Sequence, residues 1–163
     1  YPENYLQYED YIGTYTATID DYDEGPTSQS VTISPKVRGE SYTLKSIGGF
    51  NFTLLYDKAS GKLILDSQSI SPVSSSSYYF ACAAGVEGYA HTELSLPSRL
   101  RSGLVNVTVK INPFTFYFAD KASQENTSLI IWAYSSDEYS TSGLMGYWSW
   151  YNSILMEKEN EGN

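Results

Sequence analysis

From Tyr11 to Asp20 the chain reads YIGTYTATID, with Gly13, Tyr15, Ala17 and Ile19 alternating against Ile12, Thr14, Thr16 and Thr18. A period of two sends successive side chains to opposite faces of an extended backbone, so this run is a strand with one face on a core. The pattern recurs, each time cut by turn chemistry after a short run. The loop Asp20 to Gly25 is followed by a return strand from Ser30 to Val37, then an Arg38-Gly39 turn and a strand through Tyr42, Leu44 and Ile47. Gly48-Gly49 is a two-residue hairpin signal, because both positions accept positive φ. Phe50 to Tyr56 and Lys62 to Asp66 flank a turn closed by Gly61.

Further along, Ser71 to Ser77 reads as a polar loop and Tyr78 to Val86 as a strand of small residues, including Ala81, Ala83 and Gly85. Ser95 to Ser102 interrupts again. Val105, Val107, Val109 and Ile111 alternate with polar residues, Pro113 breaks the run, and Phe114, Phe116 and Phe118 share a face of the next strand. Ser128 to Ser135 and Tyr147 to Lys158 are the last two strands. The tetrapeptide Asp-Lys-Ala-Ser occurs at Asp57 to Ser60 and again at Asp120 to Ser123, which reads as one turn solution used twice.

These runs amount to about 8–10 strands with hairpin-length links and no helix, so sequence neighbours should be sheet neighbours. The expected fold is all-β, an antiparallel meander closed into an up-and-down barrel, since closure removes exposed edges. A β-sandwich is the alternative. The expected division is a lead-in over 1–9, one barrel domain over 10–158 and a polar tail over 159–163.

Composition agrees. Sixteen Tyr, six Phe and three Trp suit pleated surfaces. A length of 163 residues buries enough surface for one core without disulfide or metal staples. The single cysteine, Cys82, allows no internal disulfide and reads as a buried, inert thiol. Nineteen acidic against ten basic residues give a net charge of −9, a field that repels phosphate backbones, so no nucleic-acid partner is expected. No apolar run is long enough to span a bilayer as a helix. The chain starts at Tyr1 rather than Met, which suggests an upstream segment, where any signal peptide or lipid anchor would lie.

The opening YIGTYTATIDDYDEG, the hairpin FTLLYDKASGKLIL and the closing GYWSWYNSILMEK resemble lipocalin-like (calycin-like) barrel domains of secreted and lipid-anchored Bacteroidetes proteins. Gly13-Thr14-Tyr15 departs from the lipocalin Gly-x-Trp opening. The resemblance implies a barrel and a secreted, periplasmic or cell-surface location, and it carries over no functional residues.

Motifs for catalysis and metal binding are weak. His91 and Glu93, two apart on a strand, form the one candidate proton-transfer pair, and no second His or Cys exists to complete a zinc shell. Asp20, Asp21, Asp23 and Glu24 crowd one loop that begins like a calcium site but lacks its distal ligands, and so reads as a solvated turn. No cofactor or metal is expected, and an enzyme, a hydrolase in particular, ranks last. The stronger lead is aromatic. Trp132 and Tyr134 share one strand face, Trp148 and Trp150 share another, and Tyr139 and Tyr147 flank the loop between. Such platforms hold sugar rings or small apolar ligands, although they also fill cores. The expected function is a non-catalytic binding module for a glycan or small apolar ligand. A filled barrel serving as a structural or protein-interaction domain is the alternative.

Overall fold

The computed structural model describes residues 5–85 and 103–159. Its strands are β1 (Gly13–Asp21), β2 (Gly25–Val37), β3 (Ser41–Ile47), β4 (Phe50–Asp57), β5 (Lys62–Leu65), β6 (Gln68–Pro72), β7 (Tyr79–Gly85), β8 (Leu104–Ile111), β9 (Phe114–Asp120), β10 (Ser128–Tyr134) and β11 (Leu144–Lys158). They form one antiparallel sheet in the order β1-β2-β3-β4-β5-β8-β9-β11-β10-β7-β6, with β1 also on β11 and β4 also on β6.

This order simplifies once the short strands are paired end to end. β5 and β6 share one edge of β4, through Asp57↔Lys62 at one end and Phe50↔Pro72 at the other. β8 lies on β5 and β7 on β6. β9 and β10 share one edge of β11, through Leu155↔Tyr117 and Leu129↔Tyr151. The eleven strands therefore make eight staves, in sequence order β1, β2, β3, β4, β5/β6, β7/β8, β9/β10 and β11. The ladder from Tyr15↔Lys158 to Asp21↔Tyr151 joins the last stave to the first, so the ring of hydrogen bonds is complete. The all-β meander is the fold expected from the alternation.

Inward side chains form one continuous cluster, with Tyr15, Ala17, Leu44, Leu54, Phe116, Ile131 and Met156 fully buried along it. Packing of this kind leaves no water-sized gap beside those residues, so the interior between them is filled. Cys82 sits within it, and burial pushes its thiol up to about 12, which keeps it protonated and unreactive at neutral pH. Ala81 and Ala83 face outward opposite Trp132 and Ile130, and with Tyr134 they form a second, smaller cluster on the outer wall. The small residues of β7 thus lie beside large partners.

The two ends of the barrel differ. At one end, where links 38–40, 58–61 and 112–113 gather, the lead-in folds across the opening. A 3-10 turn, Tyr8–Tyr11, is set by the Gln7 amide on the Asp10 carboxylate at 2.7 Å. Tyr8 stacks on Tyr42 with ring centroids 4.4 Å apart, and Tyr11 meets Phe114 edge-on at 5.7 Å. The Tyr8 hydroxyl donates to the Ser41 carbonyl (2.6 Å), Tyr11 to Gly61 (2.6 Å), Tyr15 to Tyr11 (2.6 Å) and Tyr42 to Tyr8 (2.8 Å). A buried hydroxyl without a partner is costly, and these bonds are what let a tyrosine-rich segment serve as a plug. At the other end, links 22–24, 48–49, 73–78 and 135–143 surround an open mouth.

Candidate functional site

The mouth is shaped by a fork. β1 pairs with β11 only up to Asp21↔Tyr151, with one further bond from the Tyr22 amide to the Trp150 carbonyl (2.9 Å). Beyond that point the first half of β11 lies on β10, and of the β1–β2 hairpin only the turn 22–24 extends past the end of the ladder. The hairpin is fixed by its own chemistry. Asp21 Oδ1 accepts the amides of Asp23 (2.8 Å) and Glu24 (3.1 Å), and Gly25 closes the turn at φ +80°.

Between hairpin and β11 lies a half-open cleft of about 310 Å3. The carboxylates of Asp21, Asp23 and Glu24 form one wall, and Trp148, Ser149 and Tyr151 the other. Thr27 and Gln29 of β2 join them, with Ile19 and Gly48 completing the lining. Gly48 is required here. It has φ +59°, and a Cβ would land on the Tyr151 hydroxyl. Gln29 ties β2 to the β3–β4 turn by donating to the Ser46 carbonyl and accepting from the Gly48 amide at 3.2 Å.

The field inside the cleft is negative. Burial raises the Tyr151 phenol above its ordinary range, a nearby Ser149 hydroxyl opposes this, and the Asp21 and Glu24 carboxylates add to it. Tyr147 is also raised, chiefly because its hydroxyl donates to Asp23, whose oxygens lie 3.0 and 3.1 Å away. The links around the mouth carry Asp23, Glu24, Asp137 and Glu138 and, among the described residues, no Lys or Arg. Among the described residues no three His, Cys, Asp or Glu side chains converge as a metal shell.

Of the six aromatic residues expected to form a platform, Trp148 alone lines the cleft, while Trp150 and Tyr139 pack against the outer-wall cluster of Trp132 and Tyr134, with Tyr147 edge-on to Trp150. Trp148 lines the cleft, with its ring 5.3 Å from Phe80 and 6.1 Å from Tyr78. Trp150 goes instead to the outer face, against Tyr22 (5.6 Å) and Tyr147 (5.5 Å). The reason is a bulge: Ile131 pairs with Ser149 but Trp132 with Tyr147, so Trp148 is the extra residue and the period of two fails there. Trp132 and Tyr134 are buried in the outer-wall cluster, where Tyr139 meets Tyr134 edge-on at 5.2 Å. Sequence reasoning did not place Gln29 or Tyr151 in the site. It read the Asp21–Glu24 run as a solvated turn, and the crowding of carboxylates was the available signal. His91 and Glu93 lie outside the described residues.

The fold and cleft together define a closed antiparallel barrel, plugged at one end and open at an acidic, aromatic mouth. The chain belongs to the DUF4987 family, a domain of unknown function, whose model matches residues 1–132. That match ends within β10, so the closing strand with Trp148 and Tyr151 lies beyond it. No curated protein and no solved structure matches the chain.

Proposed function

We propose that the protein is a non-catalytic binding barrel and that the mouth cleft holds a sugar ring. The observation that carries this is the cleft itself. A volume of about 310 Å3 falls at the small end of the ~300–1,000 Å3 typical of ligand pockets, and it places an indole beside hydroxyl, amide and carboxylate groups. Carboxylates accept hydrogen bonds from sugar hydroxyls, and an aromatic face takes the apolar face of the ring. A small apolar ligand fits less well, because the interior is filled and the cleft walls are polar. The negative field selects against uronic acids and other anions.

On this reading the barrel is lipocalin-like in architecture, eight staves in strict neighbour order, but uses its rim in place of a hollow lumen. The same reading places the protein outside the cytoplasm, in the envelope or at the cell surface, where glycans are encountered.

The test is tryptophan fluorescence during titration with neutral sugars, uronic acids and fatty acids, with a parallel melting curve. Neutral sugars are expected to give a saturable change and a higher melting temperature, since a ligand bound only to the native state stabilises it. Trp148→Phe should abolish the change while Trp132 and Trp150 continue to emit. A response to fatty acids alone overturns the proposal. A second reading, a protein-interaction domain, is favoured by the filled interior together with exposed Tyr22, Val73, Tyr78, Tyr79 and Met145 around the mouth. Silence across the panel would select it.

A further inference from the structure

We propose that Tyr147 is a positioning residue of the mouth, holding the carboxylate-bearing turn of the β1–β2 hairpin at a set distance from β11. This inference rests on the cleft being the binding site. The main-chain ladder between β1 and β11 has ended at Asp21, so the turn 22–24 stands beyond regular pairing. Three described contacts cross the fork there: the Tyr22 amide on the Trp150 carbonyl, the Tyr22 ring on the Trp150 indole, and the Tyr147 hydroxyl on the Asp23 carboxylate. The first two hold Tyr22. Only the third reaches a group that itself lines the cleft.

Tyr147 acts from behind. Its ring lies with Trp150 on the outer face at an interplanar angle of 83°, and it is absent from the cleft lining. Its partner Asp23 belongs to both sides, accepting the phenol from outside while facing the cleft. A hydrogen bond to a charged acceptor is stronger and more directional than a neutral one, so the phenol restricts where the Asp23 carboxylate can point. The raised phenol of Tyr147 is the expected signature of that bond. Asp21 fixes the turn internally through two amides, and Tyr147 fixes the same turn to the barrel wall.

Tyr147→Phe tests this, because it keeps the ring against Trp150 and removes only the hydroxyl. The expected result is an unchanged melting temperature with several-fold faster hydrogen exchange at the Tyr22, Asp23 and Glu24 amides, and unchanged exchange elsewhere in the barrel. In tyrosine labelled with 13C at Cζ, the Tyr147 phenol should titrate above the ordinary range, and Asp23→Asn should bring it back. A purely structural role for the ring would leave that titration where it was. Galactose, as the neutral-sugar probe, should bind Tyr147→Phe several-fold more weakly. Unchanged amide exchange in Tyr147→Phe, or a Tyr147 phenol indifferent to Asp23→Asn, overturns the proposal. If galactose fails to bind the unaltered protein while the exchange and titration results hold, the sugar reading falls and the positioning role stands.

Discussion

The two ends of this barrel use the same side chain for opposite purposes. At the plugged end the hydroxyls of Tyr8, Tyr11, Tyr15, Tyr42 and Tyr56 are donated to main-chain carbonyls, of Ser41, Gly61, Tyr11, Tyr8 and Leu6. At the mouth Tyr147 donates to a carboxylate, and Tyr22, Tyr78 and Tyr79 stay exposed. Those carbonyls need donors in a buried setting, so the first arrangement satisfies the phenol and the main chain together and leaves a closed, largely apolar end. The second leaves carboxylates and rings exposed at the surface, where a ligand can use them. A tyrosine-rich composition therefore does not separate plug from site; the partner of each hydroxyl does.

The largest expected effect comes from alkali. Tyr11, Tyr15 and Tyr42 all resist ionisation in the fold, with burial the leading cause in each. In the unfolded chain the same phenols ionise near pH 10. Above about pH 10 the unfolded chain releases protons that the folded chain retains, so the stabilisation these groups contribute is whole below that pH and lost above it. Circular dichroism and amide exchange between about pH 9 and 12 should show cooperative unfolding, with amides around Tyr8–Tyr11 losing protection before the staves do. Loss of protection at the mouth first would break the comparison.

Next in size is a pair of truncations, one at each end. Tyr42→Ala removes a fully buried ring, its stacking on Tyr8 and its bond to the Tyr8 carbonyl, and should cost about 3–5 kcal/mol in urea unfolding. Trp148→Ala removes a larger ring that is 54% exposed, and should cost under about 1 kcal/mol while eliminating any sugar response. Comparable losses at the two ends would mean that the mouth is part of the core.

The repeated Asp-Lys-Ala-Ser tetrapeptide sharpens the comparison further. In both copies the aspartate carbonyl accepts the amide four residues on, Gly61 from Asp57 and Gln124 from Asp120, each at 2.7 Å. In both the carboxylate caps the turn, taking the Ala59 amide in one copy and the Ala122 and Ser123 amides in the other. Both fifth residues are left-handed, Gly61 at φ +72° and Gln124 at +59°. Only Gly61 touches the plug: a Cβ there would come within 2.8 Å of the Leu6 carbonyl. Gly61→Ala should thus cost at least ~1–2 kcal/mol from backbone strain alone, with the contact on Leu6 adding to it. Gln124→Gly should stabilise by about 0.5–1 kcal/mol, the ordinary gain on relieving a left-handed non-glycine residue. Thermal unfolding of the two variants checks both signs.

That the turn is one solution used twice was legible because it is local, written in four side chains and a closing residue. The alternation of β1 was legible for the same reason. β6 was not: Gln68–Pro72 carries one inward apolar residue, Ile70, between serines and a proline, and its place is set by β4 and β7 on either side. The count of 8–10 strands reflects the same limit, since staves broken at mid-height read as separate strands. The lead-in was read without a role in the core because the contacts of Leu6 and Tyr8 depend on phenol bonds to residues 33 and 50 positions away. Trp148 and Trp150 were assigned one face because a bulge created by pairing with β10 leaves no mark in the sequence of β11.

The smallest predicted effect sits on the rim of the plug. Arg38 lies 2.5 Å from Glu9, but their side chains are 67% and 62% exposed, so solvent screens most of the attraction. Arg38→Ala should cost no more than about 0.5 kcal/mol, and that difference should vanish in high salt. The plug is then held by the buried phenols and not by the charge at its edge. A salt-sensitive loss of several kcal/mol in Arg38→Ala, read from urea curves at low and high ionic strength, would reverse this assignment and make both ends of the barrel electrostatic devices.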